Sequence, residues 1–174
     1  YDVITDSSIS GLIAHEAFGH GVEMDQFVKD RALAKHCVGQ YVASPIANMR
    51  DGAAAALSAA SYFFDDDGVL AQDMIASVRH GYMLFETNNG MEDPKNWQIQ
   101  CTAEYGIEIV DGKLTDHYVS PVVMSGFVPD LLKSISMVSD GFEVIGAGQC
   151  GKGYKEWVRV SDGGPNLKVR VKLG

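Results

Sequence analysis

The run His15-Glu16-Ala17-Phe18-Gly19-His20 limits what this chain can fold into more than any other stretch. Two imidazoles and a carboxylate within six residues, beside an apolar run, have the form of a metal-hydrolase helix. In the common pattern the two His lie four apart and share one helix face. Here they lie five apart. At about 100° per residue this sets them roughly 140° apart around an ideal α-helix, too far round to grip one ion. A single π-turn with i→i+5 bonding brings His20 back over His15. Gly19, just before His20, is where the backbone is expected to yield.

The surrounding residues favour a packed, functional helix over a chance pair of histidines. Ser7-Ser8-Ile9-Ser10-Gly11-Leu12-Ile13-Ala14 supplies a capping segment and an apolar stripe, and Glu16 has no Lys or Arg three or four positions away. A carboxylate placed there without a cationic neighbour wants an ion or a substrate. Catalytic zinc takes three protein ligands and keeps one position open. The best candidate for the third is Cys150, in Gly146-Ala147-Gly148-Gln149-Cys150-Gly151-Lys152-Gly153.

Taken together, His15-Glu16-x-x-x-His20-Gly21-x-Glu23-x-Asp25 and the later Cys150-Gly151-Lys152 resemble the TldD/PmbA metalloproteases, once called modulators of DNA gyrase. The likeness is to the C-terminal, metal-carrying domain of the TldD-like branch. It extends over Phe64-Asp65-Asp66-Asp67-Gly68 and the segment from Tyr105 to Asp140. The resemblance implies one domain over 1–174, with an N-terminal α/β domain missing. Gly68 passes almost at once into Ala71-Gln72-Asp73-Met74-Ile75-Ala76, which resembles a later point in the family's order, so an internal gap is expected near 68–72. The resemblance further implies extended, unfolded peptides bound along a sheet edge, inside a homodimer or a heterodimer with a paralogous subunit.

These residues lead to an expected mechanism. His15, His20 and Cys150 hold Zn²⁺, water takes the fourth position, and Glu16 is general base and then general acid. Glu23 and Asp25 either orient the ligand imidazoles or form a solvated helix end. Two alternatives stand beside the peptidase: a small-amide, deformylase-like hydrolase, and a non-catalytic, metal-stabilised subunit of a protease complex.

Composition bounds these readings. With 174 residues and 46% apolar content, the chain can bury one sizeable core. A net charge of −9 argues against a nucleic-acid surface, because Lys and Arg carry most affinity for phosphates. No apolar run approaches the length of a membrane span. Three scattered cysteines (Cys37, Cys101, Cys150) suggest no disulfide framework and fit a reducing cytoplasm.

The expected class is α+β, mainly antiparallel sheet in a barrel or sandwich, with a few short helices. The first helix runs from a cap at Asp6 or Ser7 to about Met24. Gln26–His36 reads as irregular, Val38–Met49 as a strand and Ala53–Ala60 as helix. Asp65–Gly68 reads as a solvated turn, Gln72–Arg79 as a short helix and Tyr82–Glu86 as a strand. The expectation continues with a loop over Asn88–Asn96 and strands Trp97–Val110 and Lys113–Val119 about a type I′ turn at Asp111-Gly112. A helix is expected over Pro129–Met137, then a last hairpin of Glu156–Val160 and Leu167–Leu173.

Two further motifs carry little weight. His36-Cys37 are adjacent and so face different ways. Gly146–Gly151 is a literal G-x-G-x-x-G, but the following Tyr154–Val160 reads as strand, which denies a phosphate the helix N-terminus it needs.

Overall fold

The computed structural model describes residues 1–51, 60–64, 68–152 and 156–174. In chain order, β1 (Asp2–Thr5) leads into α1 (Ser7–Ile13), a π-helical turn (Ala14–Gly19) and a 3₁₀ turn (His20–Val22). Then come α2 (Met24–Val28), a 3₁₀ turn (Leu33–Cys37), β2 (Met49–Asp51), β3 (Ala60–Phe64) and α3 (Ala71–Ala76). The second half holds β4 (His80–Asp93), β5 (Gln98–Val110), β6 (Lys113–Val119), β7 (Val122–Phe127), α4 (Val128–Lys133) and β8 (Met137–Val138). It closes with β9 (Glu143–Lys152), β10 (Glu156–Gly164), β11 (Leu167–Arg170) and β12 (Lys172–Leu173).

This is the expected α+β class, with two open sheets rather than a closed barrel. The larger sheet runs β12-β7-β5-β4-β1-β11-β8, with β6 on β5; the smaller runs β2-β3-β10-β9. Most pairs are antiparallel, but β1 pairs with β4, and β3 with β10, in parallel. Along β5 the side chains alternate, with Ile99, Cys101, Ala103 and Ile109 buried, as a sheet with one covered face requires.

The cover is α1 and its π-turn, which lie between the sheets, against β4 and β5 on one side and β3, β9 and β10 on the other. Ile9, Ile13, Ala14 and Ala17 are buried in the main core with Leu84, Leu131, Leu167 and Val169. Burying each Ile stabilises by roughly 1.5–3 kcal/mol. Asp6 fixes the helix start: its Oδ1 accepts the Ile9 N–H at 2.9 Å and its Oδ2 the Glu86 N–H of β4 at 2.7 Å. Two glycines permit the close packing. A Cβ on Gly11 would lie 2.4 Å from the Gly163 backbone N, and one on Gly90 2.7 Å from Glu16 Cγ.

Several sequence expectations need correction. The first helix stops at Val22, because Glu23 is extended (ψ 134°) before α2 begins. Val38–Met49 is not a strand: only Met49 enters β2, while Val42, Ala43, Ile46 and Ala47 pack on the core from irregular chain. Pro45 lacks the N–H that a ladder needs. Asn88–Asp93 is strand rather than loop, so β4 and β5 form one long hairpin whose turn follows Asp93. The Asp93 carboxylate accepts the Lys95 and Asn96 N–H groups at 3.1 and 3.3 Å, which moves the turn to the end of that stretch.

The helix expected over Pro129–Met137 is α4, and Met137 belongs to β8. β10 and β11 form no hairpin, since they lie in different sheets with Pro165 between them. The expected turn at Asp111-Gly112 is present, with both residues at positive φ (47° and 75°) as a type I′ turn demands. The helix expected at Ala53–Ala60 falls almost wholly outside the described residues; only Ala60 is described, and it starts β3. Asp65–Asp67 also lie outside them. Among the described residues no helix is long and apolar enough to cross a membrane.

Candidate metal centre

The π-turn does what the five-residue spacing demands. The His20 N–H bonds to the His15 carbonyl, an i→i−5 contact, and the two imidazoles converge edge to face with ring centroids 4.6 Å apart. His15 Nε2 and His20 Nε2 are 3.1 Å apart. From β9, Cys150 Sγ approaches His20 Nε2 to 3.3 Å. The inward donor atoms of His15, His20 and Cys150 all lie within 4.8 Å of one another, and no other such His/Cys/Asp/Glu group is found among the described residues.

The outer face of each ring is held by a carboxylate. His15 Nδ1 is 3.0 Å from Asp162 Oδ1, and His20 Nδ1 is 3.2 Å from Glu23 Oε1. With Nδ1 protonated, each ring donates outward and turns its Nε2 lone pair inward. Glu23 is therefore one of the two orienting groups. Asp25 pairs with Lys29 at 3.2 Å on an exposed face. Asp162 has no counterpart in the sequence reading. It lies 147 positions from His15, and its neighbours Gly163 and Gly164 suggest only a turn.

The donor set fits a zinc-type ion. Tetrahedral zinc with ordinary bond lengths places two nitrogen donors about 3.3 Å apart, and a nitrogen and a sulfur about 3.6 Å apart. The protein's 3.1 and 3.3 Å fall just inside those spans. Protons are also held strongly at these atoms. Burial pulls His15 down, but its bonds to Asp162 and Cys150 outweigh this and leave it near 9. His20 is likewise opposed by burial, yet Cys150 and Glu23 push it up to about 10. The bonds from His15 and His20 bring the Cys150 thiol down to about 7. A metal bound here would displace protons, so its affinity would fall as pH falls.

Glu16 follows His15 on the π-turn and lies 3.8 Å from His20 Nε2, the only cationic group four positions away. Its side chain is largely buried, and burial raises its pKa. It lines an open cleft of about 550 Å³, with His20 and Glu23 as neighbours, part of β4 as one wall, and Cys150 with Trp157 as the other. Glu92 was also invisible in the sequence. Both its oxygens are buried without a hydrogen-bond partner among the described residues, and burial pushes its pKa up to about 8. Among the described residues, the cleft lining contains three carboxyl side chains, Glu16, Glu23 and Glu92, and no Lys or Arg.

The glycine-rich run forms strand β9, paired along its length with β10, so it makes no phosphate-cradling loop. His36 and Cys37 sit in a 3₁₀ turn and are not part of the cluster.

The family model described as the PmbA/TldA metallopeptidase C-terminal domain matches residues 1–74 and 70–173. A metalloprotease of Synechocystis is 26% identical over an alignment of 227 residues, which covers 98% of this chain and 49% of that protein. That alignment is longer than the 174-residue chain, so the relative holds residues with no counterpart here. A metalloprotease TldD homolog of Haemophilus influenzae is 30% identical over 89 residues, 49% of this chain and 18% of its own length. Among solved structures, TldE from Thermococcus kodakarensis superposes with a TM-score of 0.68 at 15% identity, over 99% of this chain and 49% of that one. The chain thus spans about half the length of the relatives that it matches end to end.

Proposed function

The chain belongs to the PmbA/TldD metallopeptidase family, matching its C-terminal domain, and on that premise we propose that it carries the metal centre of a zinc peptidase acting on extended or unfolded peptides. The observation that carries the reading is the π-turn, which aims His15 and His20 at one point beside Cys150. His15, His20 and Cys150 are the ligands that we assign to the ion. Zinc bound there would supply Lewis acidity toward water and the substrate carbonyl.

The protein's own groups do the rest. Asp162 and Glu23 fix the tautomer and angle of the two imidazoles. The Cys150 thiol, brought to about 7, reaches its thiolate form near neutral pH. Glu16, desolvated but open to the cleft, accepts a proton from the attacking water and delivers it to the leaving amine nitrogen.

Several finer features belong to the same reading. The working molecule is a homodimer or a heterodimer with a paralogous subunit, and it includes an N-terminal domain beyond this chain. An internal gap relative to the family, either a deletion or a segment left out of this sequence, falls near 68–72, where the two family-model matches meet. Three free cysteines suit a reducing cytoplasm.

The test is Glu16→Gln in the full-length protein with its natural partner. Peptide cleavage falls on the order of 10²–10⁴-fold while bound zinc is retained, because only the proton acceptor is lost. Cleavage at the unaltered rate contradicts the mechanism. A scaffold subunit would assemble as before and show no cleavage to lose.

A further inference from the structure

Among the described residues no hydrogen bond holds the carboxylate of Glu16. Its polar contact is His20 Nε2 at 3.8 Å, beyond hydrogen-bond range, although its side chain is only 11% exposed. The carboxylates behind the two imidazoles, Asp162 and Glu23, are by contrast fixed at 3.0 and 3.2 Å. A Glu side chain has several rotatable bonds, so a base without such partners keeps its aim only through what it packs on. That support is Gly90 of β4. A Cβ there would stand 2.7 Å from Glu16 Cγ, 2.9 Å from Leu12 Cδ1 and 3.1 Å from Leu12 Cγ. Leu12 and Glu16 lie one turn apart, so this helix face rests on bare strand backbone. The other tight glycines have different neighbours. An added Cβ would meet backbone at Gly11, Gly81, Gly112 and Gly163, and Leu84 at Gly106.

Strand pairing sets Gly90 in this place. It lies opposite Cys101, which is buried in the main core, so the two share the face turned to the helix. The register of β4 on β5 shifts between Thr87 and Asn89, just before Gly90. Irregularities of this kind re-aim the residues around them and recur beside active sites. Here the shift brings a residue without a side chain under Glu16. A slip of one residue either way would put Asn89 or Met91 there instead.

We propose that Gly90 is a positioning residue for the candidate base: the bare backbone of β4 is the seat that keeps the Glu16 carboxylate in the cleft, beside His20. Gly90 takes no part in proton transfer and acts through Glu16 alone. The proposal rests on the peptidase reading, in which Glu16 is the proton acceptor.

The test is a double-mutant cycle of Gly90→Ala and Glu16→Gln in the full-length protein with its natural partner, read as kcat and KM for peptide cleavage. Misplacing a reacting group by about 1 Å can cost on the order of 10²-fold, so Gly90→Ala lowers kcat roughly 10- to 100-fold and leaves KM and bound zinc within about twofold. In the Glu16→Gln background the same change alters the residual rate less than about twofold, because the group it displaces is already disabled. Gly106→Ala, which crowds Leu84 in the same sheet, lowers the melting temperature without this effect on kcat. Repeating the cycle in a Leu12→Ala background removes the contacts at 2.9 and 3.1 Å and keeps the test valid where Gly90→Ala alone folds poorly. Unchanged kcat in Gly90→Ala, or the same loss in both Glu16 backgrounds, overturns the seat. Crystals of zinc-loaded Gly90→Ala protein give a reading that needs no activity. The Glu16 carboxylate there stands about 1 Å or more from its place in the parent, and an unmoved carboxylate overturns the proposal. If the parent cleaves no peptide while that displacement is seen, the seat stands and the peptidase reading falls instead.

Discussion

Glu92 places a carboxyl whose two oxygens are buried without a hydrogen-bond partner among the described residues, close to Gly21 and within the field of His20, Glu16 and Glu23. Burial outweighs the favourable His20 charge, so the folded protein keeps this proton up to about pH 8, whereas the unfolded chain releases it near 4.5. Between those values the folded state binds the extra proton, so stability contributed by this group declines as pH rises. Glu92→Gln keeps the shape and removes the ionisation. Thermal melts of chelator-treated protein should show the variant gaining on the parent steadily from pH 5 to pH 8.5. Parallel melting curves across that range would show that Glu92 ionises without penalty. Sequence reading could not reach this residue: it lies in a stretch with Asn-Asn-Gly and Asp-Pro signals, and nothing local announces that β4 continues through it. Asp162 escaped for a related reason, because its meeting with His15 exists only after β10 packs against α1.

At the scale of elements, the π-turn was legible because a spacing and a requirement conflicted. Five residues cannot align two ligands on an α-helix, and the backbone resolves the conflict locally within Ala14–Gly19. The misread stretches lacked such a conflict. Val38–Asn48 is apolar enough to be a strand, but Val42, Ala43, Ile46 and Ala47 pack on the core as irregular chain, and the Ser44 N–H bonds to the Leu132 carbonyl of α4. The glycine run of β9 carries a literal phosphate-loop motif, yet it is strand in which Gly148 admits Val160 and Gly151 admits Trp157, while Gly11 of α1 admits the crossing of the β10 backbone at Gly163. That crossing makes a sharp demand. Gly11→Ala sets a methyl 2.4 Å from the Gly163 backbone, which no side-chain rotation relieves, so α1 must move away from β10. Overpacking of this kind costs about 1–3 kcal/mol, and lengthening the His15–Asp162 contact should weaken zinc binding about 10- to 100-fold. Gly126→Ala, whose methyl would find its nearest neighbour at 3.8 Å, serves as the neutral control. Equal melting temperature and zinc affinity in the Gly11→Ala and Gly126→Ala proteins would mean that the crossing does not position the site.

On the scale of the whole molecule, the centre joins parts that the chain otherwise keeps apart. His15 and His20 come from the helical segment laid between the sheets, while Cys150 and Asp162 come from neighbouring strands of the smaller sheet. The class of fold could be read from strand patterns and turn residues, but the division into two sheets could not. β10 and β11 are consecutive, with a turn sequence between them, and only long-range pairing sends them to different sheets. An ion bound at the centre ties helix to sheet and favours the folded state by mass action. Zinc content measured by mass spectrometry on full-length protein purified without chelator, set against its Cys150→Ser and Cys101→Ser variants, tests the ligand assignment most directly. The account predicts about one zinc per chain in the parent and in Cys101→Ser, and loss of most of it in Cys150→Ser. Full zinc in Cys150→Ser, or loss confined to Cys101→Ser, would contradict it.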